Sequence, residues 1–310
     1  MLLAGGLSAL TGCVAHPADR DRAAPPGATA ILPTAPGAAV EASAADRIPA
    51  AYTRGWPHPP RATRRSGCLV VFGPVGPAGR PQALAHAGAA ALARAGRLWG
   101  TVPRARLVLV VPPSRRLFAQ ATGTTAATAV TLVPTDTRYG PVTVVRPDIV
   151  RGDPDVLASV LTHECVHLLA DVGAAHATDG RVRRDLAPAW VREGMAEYVP
   201  ARALGLGSAL RASARRSIHA ARTRPLPASF PTAAALAATD PHDRSRAYDE
   251  AWLAVDLLVA QVGLGRAVRW QRAWSQPSDL GNDGPSAGDS AVDLPALRAR
   301  WQAQLRRWRR

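Results

Sequence analysis

From residue 68 onward the chain alternates short apolar runs with longer stretches in which apolar side chains recur every three or four positions. Residues 68–72, Cys-Leu-Val-Val-Phe, read as a strand closed by Gly73-Pro74, and residues 107–111 read as another, stopped by Pro112-Pro113. The β-branched runs at 129–133 and 142–145 are two more. Between them, 81–99 carries Ala and Leu at helical spacing and 114–120 reads as a short helix. From residue 153 the texture is helical. Asp153-Pro154 is a start signal, because Asp can cap the free N–H groups and Pro is tolerated at the first helical position. A helix over 154–170, a polar loop over 171–187 and a helix from Pro188 to about Val199 follow. A further helix is expected over 245–262, ended by Gly263. A Ser/Gly/Asp/Pro loop over 275–290 leads to a last helix whose stripe of Leu294, Leu297, Trp301, Leu305 and Trp308 should dock on the domain. The pattern predicts an α+β fold: a small mixed sheet in the N-terminal part, then a mostly helical C-terminal part.

The first 66 residues differ in kind. Met1 to Leu10 is apolar, and Leu10-Thr11-Gly12-Cys13 resembles the lipobox of bacterial lipoproteins, in which the signal peptide is cut before the Cys and its thiol is lipidated. That resemblance implies a signal peptide over 1–12, a lipid anchor on Cys13 and an extracytoplasmic, membrane-tethered protein, with simple secretion as the alternative. No basic residue precedes the apolar run, which departs from an ordinary export signal. Residues 13–66, rich in Pro and Ala without a sustained apolar period, read as a tether. Residues 67–310 then form the domain.

Composition changes the picture little. Apolar residues make up 47% of the 310 residues, enough for a core, and all 38 basic residues are Arg. The net charge of +15 suits an anionic surface. No nucleic-acid-binding motif accompanies it, so no nucleic-acid partner is expected. With Cys13 assigned to lipid, Cys68 and Cys165 do not make a disulfide framework, and none is expected.

The chemistry concentrates at His163-Glu164-Cys165-Val166-His167. On a helix, residues four apart share a face one turn apart. Both imidazoles can therefore reach one ion, with Glu164 beside it as a base for a water on that ion. Zinc takes neutral imidazole nitrogens and keeps a position open in catalytic sites, so Zn2+ is the expected cofactor. A third protein ligand is then needed, and three residues are in range. His176 fails the metzincin continuation, which needs Gly and His where this chain has Ala170 and Gly173. Asp171 lies one turn beyond His167 with a short side chain, better suited to orienting a ligand than to being one. Glu193 lies 26 residues after His167, a separation that lets a return helix bring a carboxylate over the imidazoles.

Residues 190–198, Trp-Val-Arg-Glu-Gly-Met-Ala-Glu-Tyr, resemble the third-ligand helix of the gluzincin metallopeptidases. Ser114 to Phe118, the Val-Val-Arg-Pro before the metal helix, the spacing Tyr248, Ala251, Val255, Leu258 and the closing Leu297-to-Trp301 step are similar to the compact peptidase MA-like domains of bacteria. The resemblance implies a zincin-like domain over 67–310 with His163, His167 and Glu193 on zinc and Glu164 as general base on a zinc-bound water. It further implies a Tyr or His from a later helix at the oxyanion, for which Tyr248 is the candidate, and a strand at 142–145 aligning an extended peptide or protein substrate. Glu197 is placed one turn after Glu193 to hydrogen-bond a ligand imidazole, and Gly194 with Ala196 to let the two metal-bearing helices approach. The expected activity is hydrolysis of peptide bonds at the cell envelope by a zinc endopeptidase. The alternative is an envelope-anchored, zinc-containing binding module without hydrolysis.

Overall fold

The computed structural model describes residues 52–58, 60–65, 68–72, 80–100, 107–132, 141–175, 187–274 and 292–310. Cys13, the 1–12 segment and most of the 13–66 tether lie outside the described residues. Among the described residues five strands build one mixed sheet: β1 (Arg61–Arg65), β2 (Cys68–Phe72), β3 (Leu107–Val111), β4 (Ala129–Leu132) and β5 (Val142–Val145), in the spatial order β1-β2-β3-β5-β4. β2, β3 and β5 run parallel, while β1 pairs antiparallel with β2 and β4 antiparallel with β5. Helices α1 (Arg80–Trp99) and α2 (Arg115–Thr122) intersperse the strands, and α3 (Pro147–Arg151) follows β5. α4 (Pro154–Ala175), α5 (Ala189–Ala203), α6 (Gly207–Ala220), α7 (Ala233–Leu236), α8 (Pro241–Val262), α9 (Leu264–Trp274) and α10 (Leu294–Arg309) follow. The molecule is thus mixed α/β, with a small mixed sheet and a mainly helical second half, as the hydrophobic pattern predicts.

Period-two alternation sends the strand side chains to opposite faces. Cys68, Val70, Leu107, Leu109 and Val145 join the main core with α1 and α4, whereas Leu69, Val71, Val108, Val110 and Val144 form a smaller cluster with Phe118 on the other face. Burial on both faces is why the strands read as continuous apolar runs. Gly88 lets α1 lie close on the sheet, since a Cβ there would fall 2.7 Å from Cys68 Sγ. Cys68 and Cys165 are both free and buried, and burial pushes the Cys68 thiol up to about 12.

In the helical half, α5 is enclosed between α4 and α8. Gly194 is the reason α5 and α8 can touch: a Cβ would stand 2.5 Å from the Ala251 carbonyl oxygen and 2.6 Å from Val255 Cγ2. This corrects the expectation that Gly194 serves the approach of the two metal-bearing helices, because its open face meets α8. The α10 stripe docks as predicted, with Leu297, Trp301, Leu305 and Trp308 buried and Trp301 Nε1 donating to the Glu250 carbonyl oxygen at 3.0 Å. Phe230 stacks on Trp190 with ring centres 4.3 Å apart and tilts against Trp301 at 5.2 Å, tying the start of α5 to α10.

Several elements differ from the sequence expectation. β1 joins the sheet before the expected domain start at 67, because a short Arg-rich edge strand has no apolar alternation to betray it. β5 is flanked by β3 and β4, so among the described residues the strand beside α4 with an open edge is β4, not 142–145. α5 continues four residues past Val199 with Pro200 inside it. A proline there forfeits one backbone hydrogen bond, which the last turn tolerates. α6 and α9 have no counterpart in the pattern reading. Among the described residues no single helix is long and apolar enough to cross a membrane.

Glu250 on α8 is an acid placed in this core. It is 5% exposed, and burial raises its carboxyl from 4.5 to about 7 against the opposing pull of Arg246 and Arg309. A raised folded-state value means that the protonated form fits the fold better. The associated stability is complete below about 4.5 and is lost as pH rises through about 7. Glu250→Gln should therefore flatten the pH dependence of urea denaturation across that window, with a gain at pH 8 on the order of 3 kcal/mol. Equal denaturation midpoints for the two proteins at pH 8 would contradict this.

Candidate metal centre

α4 starts where Asp153 caps it, its carboxylate accepting the Asp155 N–H at 2.8 Å, and runs unbroken through the His-Glu-x-x-His segment. His163 and His167 project from successive turns toward α5, ring centres 4.8 Å apart and planes at 69°. Their Nε2 atoms approach to 3.0 Å. Glu193 enters from α5, with Oε2 3.4 Å from His167 Nε2 and 3.7 Å from His163 Nε2. Its other oxygen, Oε1, lies 3.5 Å from Arg192 Nε. The three side chains thus converge as the spacing suggests, and their potential ligand atoms all lie within 4.8 Å of one another.

The electrostatics suit a cation. His163 is 1% exposed and Glu193 8%, so the group is largely sealed from water. Glu193 Oε2 is buried without a hydrogen-bond partner, a costly state for a carboxylate oxygen unless a positive charge stands by it. Burial by itself would raise this carboxyl, but the charges and hydrogen-bonding capacity of His167 and His163 outweigh it and hold the group well below the usual carboxylate range. A buried carboxylate kept ionised between two imidazoles is a donor set that could hold a metal ion.

Glu197, one turn after Glu193, is 7% exposed and brings Oε1 to 3.2 Å from His163 Nδ1. That position lets the carboxylate orient the imidazole so that Nε2 faces the cluster. Changing Glu197 to Gln should weaken zinc binding by roughly 10- to 100-fold, read by competition with a zinc chelator, while leaving the far-ultraviolet circular dichroism unchanged. An unchanged affinity would show that the contact orients nothing.

Glu164 points to the sheet side of α4. It is 1% exposed, and Thr131 on β4 donates its hydroxyl to Glu164 Oε2 at 2.5 Å. The pattern reading places residue 131 in a strand but gives it no role at the site. Tyr248 is buried, 4% exposed, on the turn of α8 that precedes Ala251, the residue abutting Gly194. Asp171 lies on the α4 backbone one turn past His167, and its side chain is outside the described residues.

Two imidazoles and one carboxylate from α4 and α5 thus form a largely buried trio, with Glu197 against His163 and Glu164 next to it along α4. No family model matches this chain, and no curated protein is detectably similar to it.

Proposed function

We propose that the protein is a zinc-dependent peptidase in which His163, His167 and Glu193 hold the ion and Glu164 is the general base. The observation that carries this reading is the trio's shape. Ligand atoms about 2.1 Å from a tetrahedral ion sit roughly 3.4 Å from one another. The three separations here are 3.0, 3.4 and 3.7 Å, which bracket that value. Two nitrogens and one oxygen also match the His2Glu set of catalytic zinc, which leaves a position open. Bound there, zinc would act as a Lewis acid on the scissile carbonyl and make water a competent nucleophile near neutral pH.

The chain's own residues supply the rest. Glu164 accepts the proton of the attacking water and hands it to the leaving amine. Tyr248 is the candidate donor to the oxyanion, on the α8 turn packed toward α5. The open edge of β4, beside α4, is where an extended peptide would add as a further strand, using main-chain hydrogen bonds with little side-chain selectivity. An Ala/Pro-rich tether ending in a lipid-modified Cys13 would hold this site at the outer face of a bacterial membrane.

The proposal is tested by zinc-loaded and chelator-stripped protein on an unselected peptide library, with products read by mass spectrometry. Cleavage that vanishes on stripping and returns with zinc is expected. Zinc-loaded protein that leaves every peptide intact would favour a binding module instead.

A further inference from the structure

Thr131 occupies an unusual place, on the edge strand and yet bonded to the residue read here as the base. The register of β4 and β5 sets Thr131 directly opposite Thr143, and their hydroxyl oxygens lie 2.9 Å apart. Alternation along β4 puts Ala129 in the main core with α4, while Val130 and Leu132 pack on the other face. Thr131 therefore shares the face of Ala129 and meets α4 at Glu164.

Counting protons gives the chain a direction. Thr131 donates its single hydroxyl proton to Glu164 Oε2 at 2.5 Å. The oxygen of Thr131 can then only accept from Thr143, which is 1% exposed. The order is Thr143 to Thr131 to Glu164. We propose that Thr131 is a positioning residue for Glu164: its hydroxyl, fixed by Thr143, holds Oε2 and so sets the plane of the carboxylate and the place of Oε1. The inference rests on the hydrolytic reading above, and it links two parts of it. The strand that would receive an extended substrate is the strand that holds the base, so docking on β4 and the aim of Glu164 are mechanically joined. A strand residue chosen for packing alone would serve as well as Val, which matches Thr in shape and β-propensity. The hydroxyl is what the inference requires.

Two substitutions separate the hydroxyl from the shape. Thr131→Val keeps the volume and should lower kcat about 10- to 100-fold, the size of a lost hydrogen bond to a charged group, with KM within about twofold and zinc content unchanged. Thr131→Ser restores the hydroxyl and should recover kcat to within about threefold of wild type. A second readout needs no activity. In metal-free protein, the losses in urea midpoint caused by Thr131→Val and Glu164→Leu should be non-additive in the double variant, because each removes the same contact. Active wild type with Thr131→Val at full kcat overturns the inference while leaving the peptidase reading intact, and so does strict additivity in the cycle. Wild type that is zinc-loaded and inert overturns the peptidase reading and the contribution of Thr131 to kcat together, while the metal-free cycle still reports whether Thr131 holds Glu164.

Discussion

Replacing Glu164 by Gln is expected to lower kcat by about 100- to 10,000-fold, the range that general acid–base catalysis supplies, while zinc stays bound at wild-type affinity. The separation of the two effects follows from where the side chains point. His163, His167 and Glu193 converge on one another, whereas Glu164 is held from the sheet side by Thr131 at 2.5 Å and belongs to none of the three contacts that define the trio. Gln preserves the shape and can still accept the Thr131 hydroxyl through its amide oxygen, so the fold should tolerate it. What it cannot do is take a proton from water. Steady-state kinetics on a peptide identified by library cleavage, with zinc measured by mass spectrometry on the same preparation, checks both halves. Zinc lost together with activity would assign Glu164 to the metal rather than to the proton.

The second large effect is on the metal. Glu193→Ala removes one of the three proposed ligands, and the loss of affinity should exceed the roughly 10- to 100-fold typical of losing an outer hydrogen-bond partner. Wild type should gain thermal stability when zinc is added, since a ligand that binds only the folded state raises its melting temperature. Glu193→Ala should gain little at the same free zinc. The metal-free variant should remain folded, because Ala suits the middle of a helix and takes away a buried charge, while the neighbouring Val191 and Met195 stay buried. A zinc-induced shift equal to that of wild type would remove Glu193 from the site.

Those two residues differ in how visible they are in the sequence. The His-Glu-x-x-His spacing fixes its own geometry, because a helix four residues on must return to the same face. Glu193 needed a fold to bring it back, and only the neighbouring Trp-x-x-Glu-Gly-x-Ala-Glu-Tyr pattern pointed to it; the structure then places its carboxylate beside both imidazoles. Glu197 could have been a solvated charge on an amphipathic helix. Burial of α5 on nearly every side, which no periodicity announces, is what turns it toward His163.

Other features were hidden for identifiable reasons. Thr131 joins the site through strand register, and register across a gap in the chain is not written in either strand alone. The same is true of the sheet order, which places β4 outside β5 and moves the open edge away from 142–145. The α8 start shows the opposite case. Asp240-Pro241 carries the same signal as Asp153-Pro154, and Asp240 caps α8 by accepting the Asp243 N–H at 2.9 Å, so the true start was legible four residues before the expected one. Gly194 was legible as a close-approach residue but not as to which helix it approaches, since either neighbour of α5 would need the space.

Whether His163, His167 and Glu193 together hold one zinc ion can be read from zinc X-ray absorption on wild-type protein loaded with one equivalent. Two imidazole nitrogens and light oxygen donors at about 2.0–2.2 Å from the zinc are expected, with the imidazole signal halved in His167→Ala. Protein that takes up no zinc, or a shell containing sulfur at about 2.3 Å from the cysteines, would contradict that set of ligands.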